Sequence, residues 1–108
     1  MFTARLIAVP CKIFNGAFSG DRVVEFELAN KSSYRTLVPR FYCLHEDGVR
    51  IKEHEPITDE MKGLLLCKVV DFLPDGETIL EVPDHKRVAV DTSMVRKIQP
   101  RDEELVPV

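Results

Sequence analysis

The chain of 108 residues has no tryptophan, only two tyrosines and six phenylalanines, and three cysteines. Cys11, Cys43 and Cys67 are odd in number and widely spaced, with no Cys-x-x-Cys pair, so neither a disulfide framework nor a thioredoxin-type motif is written here. A reducing compartment suits them. No stretch approaches the ~18 apolar residues of a membrane helix. The run Leu6-Ile7-Ala8-Val9 behind Arg5 is too short for the apolar region of a signal peptide and stops at Pro10. The same short run, with proline directly before Cys11, excludes an acylated cysteine. The expectation is a cytoplasmic protein without membrane contact. Gly-x-Ser-x-Gly, the phosphate-binding loop, the dinucleotide glycine pattern and His-Glu-x-x-His are all absent, so no catalytic residue and no cofactor are expected. Charge of one sign is scarce too. Eighteen acidic against 15 basic side chains give a net charge of −3, and the overall field does not draw in nucleic acid.

What is present is a core. An apolar content of 44% with 31% charged residues describes one soluble globular unit. Alternation at period 2 outweighs helical periodicity. Val24, Phe26 and Leu28 alternate with Glu25 and Glu27, Asn30 to Ser33 supply turn chemistry, and Tyr34 to Val38 resume the extended pattern until Pro39. This predicts a hairpin over Val24–Val38. Asp47-Gly48 and Asp75-Gly76 are further turn signals, and Thr78-Ile79-Leu80-Glu81-Val82 opens a second hairpin reaching Val90. One short helix is expected over Pro56–Lys62, where Thr58 can cap, Asp59 and Glu60 suit the first turn and Gly63 the end.

The segment Glu27–Lys31 with Tyr34–Thr36 can be laid without gaps on Glu81–His85 with Val88–Val90, 54 positions on. Upstream, Cys11-Lys12-Ile13 matches Cys67-Lys68-Val69 at 56 positions, and downstream Pro39-Arg40-Phe41 falls opposite Ser93-Met94-Val95. Each half reads as short strands with a single 3₁₀ turn, at Val38–Phe41 and Thr92–Val95. That arrangement resembles the small SH3-like barrel shared by SH3 and KOW-type modules. The resemblance implies a mainly β chain: two SH3-like repeats packed as one compact unit, with at most one short helix. The repeats would cover 1–50 and 64–99, joined by 51–63 with the helical turn and followed by a charged tail, 100–108. Units of about 50 residues are marginal alone, which favours packing the halves together.

Seven of the eight aromatic residues lie in the first 42 positions, and only Phe72 follows. Tyr34, Phe41 and Tyr42 form the candidate surface for a protein or peptide partner, because tyrosine offers a large apolar face with a polar tip. The alternative is nucleic-acid binding through Lys86, Arg87, Arg96 and Lys97, which with Arg101 face only Asp91 between positions 85 and 101. Cys43, His45 and His54 gather metal-capable atoms, but their spacing matches no zinc pattern, and no metal is expected. The expected function is a non-catalytic binding or adaptor module.

Overall fold

A computed structural model describes residues 6–16, 20–52 and 60–97. Eight antiparallel strands form one sheet: β1 (Leu6–Asn15), β2 (Asp21–Glu27), β3 (Ser33–Pro39), β4 (Cys43–His45), β5 (Met61–Phe72), β6 (Glu77–Glu81), β7 (Arg87–Asp91) and β8 (Arg96–Lys97). The main path runs β3-β2-β1-β5-β6-β7, with β4 on β5 and β8 on β1. Single 3₁₀ turns at Arg40–Tyr42 and Thr92–Met94 precede β4 and β8. The chain is thus mainly β, and its sheet curls into a half-barrel compatible with a small β-barrel fold.

Alternating side chains build the core. Ile7, Val9, Cys11 and Ile13 of β1, Val24 and Phe26 of β2, Leu65 and Cys67 of β5, Leu80 of β6 and Val90 of β7 share one buried cluster inside the curl. Across β1 and β5 a second cluster, Ala8, Leu44 and Leu66, buries the opposite face. Burial on both faces explains why the middle of each of these two strands reads as an unbroken apolar run rather than as an alternating one.

Both expected hairpins are present, β2 with β3 and β6 with β7. Their turns match in detail. Leu28 N–H donates to Ser32 O and Lys31 N–H to Leu28 O; Val82 N–H donates to Lys86 O and His85 N–H to Val82 O, all at 2.8 to 2.9 Å. Lys31 and His85, 54 positions apart, are the two described non-glycine residues with positive φ, 72° and 70°. The element order of β1–β4 recurs in β5–β8. The 3₁₀ turns correspond at 52 positions rather than 54, so the downstream register differs by two residues from the gapless alignment: Arg40–Tyr42 answers Thr92–Met94. The first turn starts late because β3 extends through Pro39, whose ψ of 141° is still extended.

The helix expected over Pro56–Lys62 is corrected at its end. Met61 and Lys62 belong to β5, which therefore begins inside the segment read as a connection. Residues 53–59 lie outside the described residues. Strand structure wins here because Lys62 and Gly63 pair with Lys12 and Cys11 of β1, while Gly63 also opposes His45 of β4.

The curl is held at the hairpin tips. Ala29 N–H donates to Ala89 O at 2.9 Å and Lys31 Nζ to Asp91 Oδ2 at 3.1 Å. In the second hairpin the residue corresponding to Ala29 is Pro83, which has no N–H to give. There Asp84 Oδ2 instead accepts from the hydroxyl of Tyr34 and from Thr36 Oγ1.

Candidate binding groove

Central strands β1 and β5 are each forked along their second edge. On β1, Ile7 and Ala8 pair with β8 while Lys12 to Asn15 pair with β2, leaving Val9–Cys11 between them. On β5, Gly63 to Leu65 pair with β4 and Lys68 onward with β6, leaving Leu66 and Cys67. Pro10, which cannot donate to a ladder, falls in the first gap. Val9 opposes Leu65 in the β1–β5 ladder, with Cys11 two residues to one side and Cys67 two residues to the other, so the forks lie in quasi-twofold positions.

A charged row crosses the sheet beside each fork. Lys12 pairs with Glu25 and Glu25 with Arg35; Lys68 pairs with Glu81 and Glu81 with Arg87. Directly opposed residues share a face, so each glutamate lies between two cations. Arg35 also sits 4.6 Å over the Phe14 ring, and Arg87 Nε lies 3.8 Å from Glu81 Oε1.

The two forks are filled differently. At the β5 fork, Tyr42 from the first 3₁₀ turn and Leu6 at the end of the Lys68–Glu81 row close the hollow to about 30 Å³, room for little more than water. At the β1 fork the corresponding positions are Met94, third residue of the second 3₁₀ turn, and Lys62. Here an open groove of about 400 Å³ remains, lined by Pro10, Cys11, Phe26, Gly63 and Met94 below and by Lys12, Glu25, Glu27, Ser33, Glu46 and Lys62 around the rim. Glu46 and Lys62 also border a neighbouring shallow hollow containing His45, Asp47 and Glu60. Lys12 Nζ lies 3.8 Å from Glu60 Oε2, and Lys31 Nζ lies 3.8 Å from Glu27 Oε1.

The residues singled out by sequence are distributed as follows. Tyr34 is half-buried, tilted against Phe26 at 5.6 Å between ring centroids, and its hydroxyl is engaged by Asp84. Burial first and that hydrogen bond second raise the Tyr34 hydroxyl to about 12. Burial pushes the Asp84 carboxyl up. Hydrogen bonds from Tyr34, from the Lys86 N–H and from Thr36, with the Lys86 charge, outweigh it and hold the carboxyl below its ordinary range. Tyr42 packs against both core clusters and lies tilted against half-buried Phe41, ring centroids 4.8 Å apart. Tyr34 and Tyr42 therefore meet the same β6–β7 turn, Tyr34 through Asp84 and Tyr42 across the hollow bordered by Val82, Pro83 and His85. Their rings serve packing as well as surface. The basic residues are split between the sheet's edge and its centre. Lys86 and Arg87 are exposed on the second hairpin, whereas Arg96 and Lys97 are exposed on β8 against β1, with Arg96 Nη1 donating to Ser93 O at 2.8 Å.

Cys11, Cys43 and Cys67 are free and buried. Burial raises the Cys11 and Cys67 thiols far above the ordinary range; Cys43 reaches about 12, with Arg22 and Arg40 offsetting only part of the effect. At neutral pH these side chains are thiols rather than thiolates, the form that serves neither as nucleophile nor as metal ligand. Among the described residues no three His, Cys, Asp or Glu side chains are placed to hold a metal ion, and His54 lies outside them. Among the described residues, too, no helix is long and apolar enough to cross a membrane.

The groove residues Phe26, Ser33, Glu46, Lys62 and Met94 carry no local motif and escape a sequence reading. One signal was present: the recurring Cys-Lys at positions 11–12 and 67–68, each lysine opposite a glutamate of the next strand. No family model matches the chain, and no curated protein or solved structure matches it either.

Proposed function

We propose that this chain is a non-catalytic binding module of two quasi-equivalent SH3-like halves, which receives a protein partner in the open groove at the β1 fork. One observation carries the reading: of two corresponding forks, the chain fills one with its own Tyr42 and leaves the other open. The groove is open to solvent, with an apolar floor and a polar rim. The recurrence of three strands, a 3₁₀ turn and a short strand supports the SH3-like description of each half. Three free buried thiols suit a reducing, cytoplasmic setting. Of the three aromatic residues singled out by sequence, Tyr34 packs on Phe26 of this groove, whereas Tyr42, with Phe41 against it, lines the second fork. The nucleic-acid alternative through Lys86, Arg87, Arg96 and Lys97 is weaker, because Glu81 lies between Lys68 and Arg87 in the same row.

The test uses a bulky residue on the groove rim. Ser33 is exposed, so Ser33→Trp obstructs the groove without touching the core. Capture of a partner by immobilised wild-type protein should survive nuclease and disappear with Ser33→Trp. Capture that is unaffected by Ser33→Trp but lost on nuclease treatment or with Lys86→Ala/Arg87→Ala would favour nucleic acid instead.

A further inference from the structure

Resting on that reading, we infer that the occupant of the β1-fork groove is a peptide segment that inserts one aromatic side chain and carries basic residues beside it. The aromatic preference comes from the molecule's own second fork. There a tyrosine from a 3₁₀ turn enters between the end of β6 and the first residues of β4, covering Cys67 and Val82. The first fork presents Cys11, which corresponds to Cys67, and beside it Phe26, both nearly fully buried, but Met94 stands where Tyr42 stands and leaves the space unfilled. A side chain delivered from outside meets Cys11, Lys12 and Glu25 where Tyr42 meets Cys67, Lys68 and Glu81, with Lys62 in place of Leu6.

The basic preference comes from the rim. Around the groove and the hollow that adjoins it through Glu46 and Lys62, five carboxylates (Glu25, Glu27, Glu46, Asp47 and Glu60) stand with four cations: Lys12 and Lys62 on the lining, Arg35 opposite Glu25 and Lys31 beside Glu27. Each lysine already has an acidic neighbour: Lys12 has Glu60 and Glu25, and Lys62 shares the rim with Glu46 and Glu60. The uncompensated negative charge gathers at Glu46, Asp47 and Glu60, beside Lys12 and Lys62, and favours arginine or lysine over phosphate there. The closed fork lacks this surplus, having Lys68, Glu81 and His85.

A displayed library of random twelve-residue peptides, selected on the full chain and counter-selected on Ser33→Trp, tests this. Expected are groove-dependent peptides enriched for tyrosine, phenylalanine or tryptophan with arginine or lysine within three positions. A synthetic peptide of that kind should bind roughly tenfold more weakly to Glu46→Gln/Glu60→Gln, two exposed charges being lost, with a shallower salt dependence. Should Ser33→Trp fail to fold, Glu27→Trp on the same rim replaces it. Groove-dependent peptides without an aromatic residue, or indifferent to the two glutamates, would overturn the inference while sparing the groove. Peptides that bind Ser33→Trp as well as wild type would overturn the groove itself, and so would an absence of any selected peptide.

Discussion

Gly63 shows how one missing side chain shapes this sheet. It lies in β5 opposite both Cys11 and His45, and a Cβ there would stand within 2.5 Å of Ile13 Cδ1 and closer still to the Leu44 carbonyl oxygen. Backbone cannot move aside as a flexible side chain can. Gly63→Ala is expected to cost about 2 kcal/mol or more in urea unfolding. The Tyr34–Asp84 hydrogen bond needs a protonated phenol and an ionised carboxylate, so it fails at both ends of the pH scale. Asp84 is held below its ordinary range in the fold, so its contribution is present above the unfolded value and lost as pH falls through the folded one. Tyr34 is raised to about 12, so its contribution is present below the ordinary phenol value near 10 and lost as pH climbs from there toward 12. Thermal melts should be insensitive to this pair between pH 5 and 9. Asp84→Asn should flatten the acid limb and Tyr34→Phe should lessen the fall above pH ~10, which adds to the loss that the buried, raised thiols begin near pH ~8.5.

At the scale of the element, the two hairpin tips are the same device used twice. Each is a three-residue loop whose last residue must take the left-handed conformation, a position where glycine is favoured, yet Lys31 and His85 occupy it. Replacing His85 by glycine should stabilise the protein by about 1 kcal/mol, relieving the Cβ clash. Lys31→Gly should gain less, because it also removes the hydrogen bond from Nζ to Asp91. Chemical denaturation of both variants checks the order. The hairpins themselves were legible in the sequence, since Val24-Glu25-Phe26 and Leu80-Glu81-Val82 alternate cleanly and Asn30 and Asp84 mark the turns. Asp47-Gly48 and Asp75-Gly76 were legible for the same reason, as glycine takes φ of 87° and 89° there. Long-range arrangements were not. Nothing local says that β4 will pair with β5 or β8 with β1, nor that Asp84 will meet a tyrosine 50 residues away. The short helix was misread at Met61 and Lys62 because good helix formers there answer to a ladder with β1 that period alone does not reveal.

In the molecule as a whole, each half sends its last strand to the first strand of the other, so the forks exist only when both halves are together. Tyr42 of the first half closes the fork of the second, while Met94 of the second half leaves that of the first open. The sequence reading proposed the recurrence and named Tyr42, but it took Cys11 and Cys67 only as equivalent strand positions. The difference between a filled and an open fork depends on side chains brought from the far half. That asymmetry is the central claim, and titration with p-cresol, a free tyrosine side chain, followed by amide and methyl chemical shifts, tests it most directly. In wild-type protein, perturbations should gather at Cys11, Phe26, Ser33 and Met94 and spare Cys67, Val82 and His85. Tyr42→Ala, if folded, should add the second set by opening the second fork. Perturbations centred on Cys67 in the wild type, or a folded Tyr42→Ala protein that gains no second set, would contradict the account.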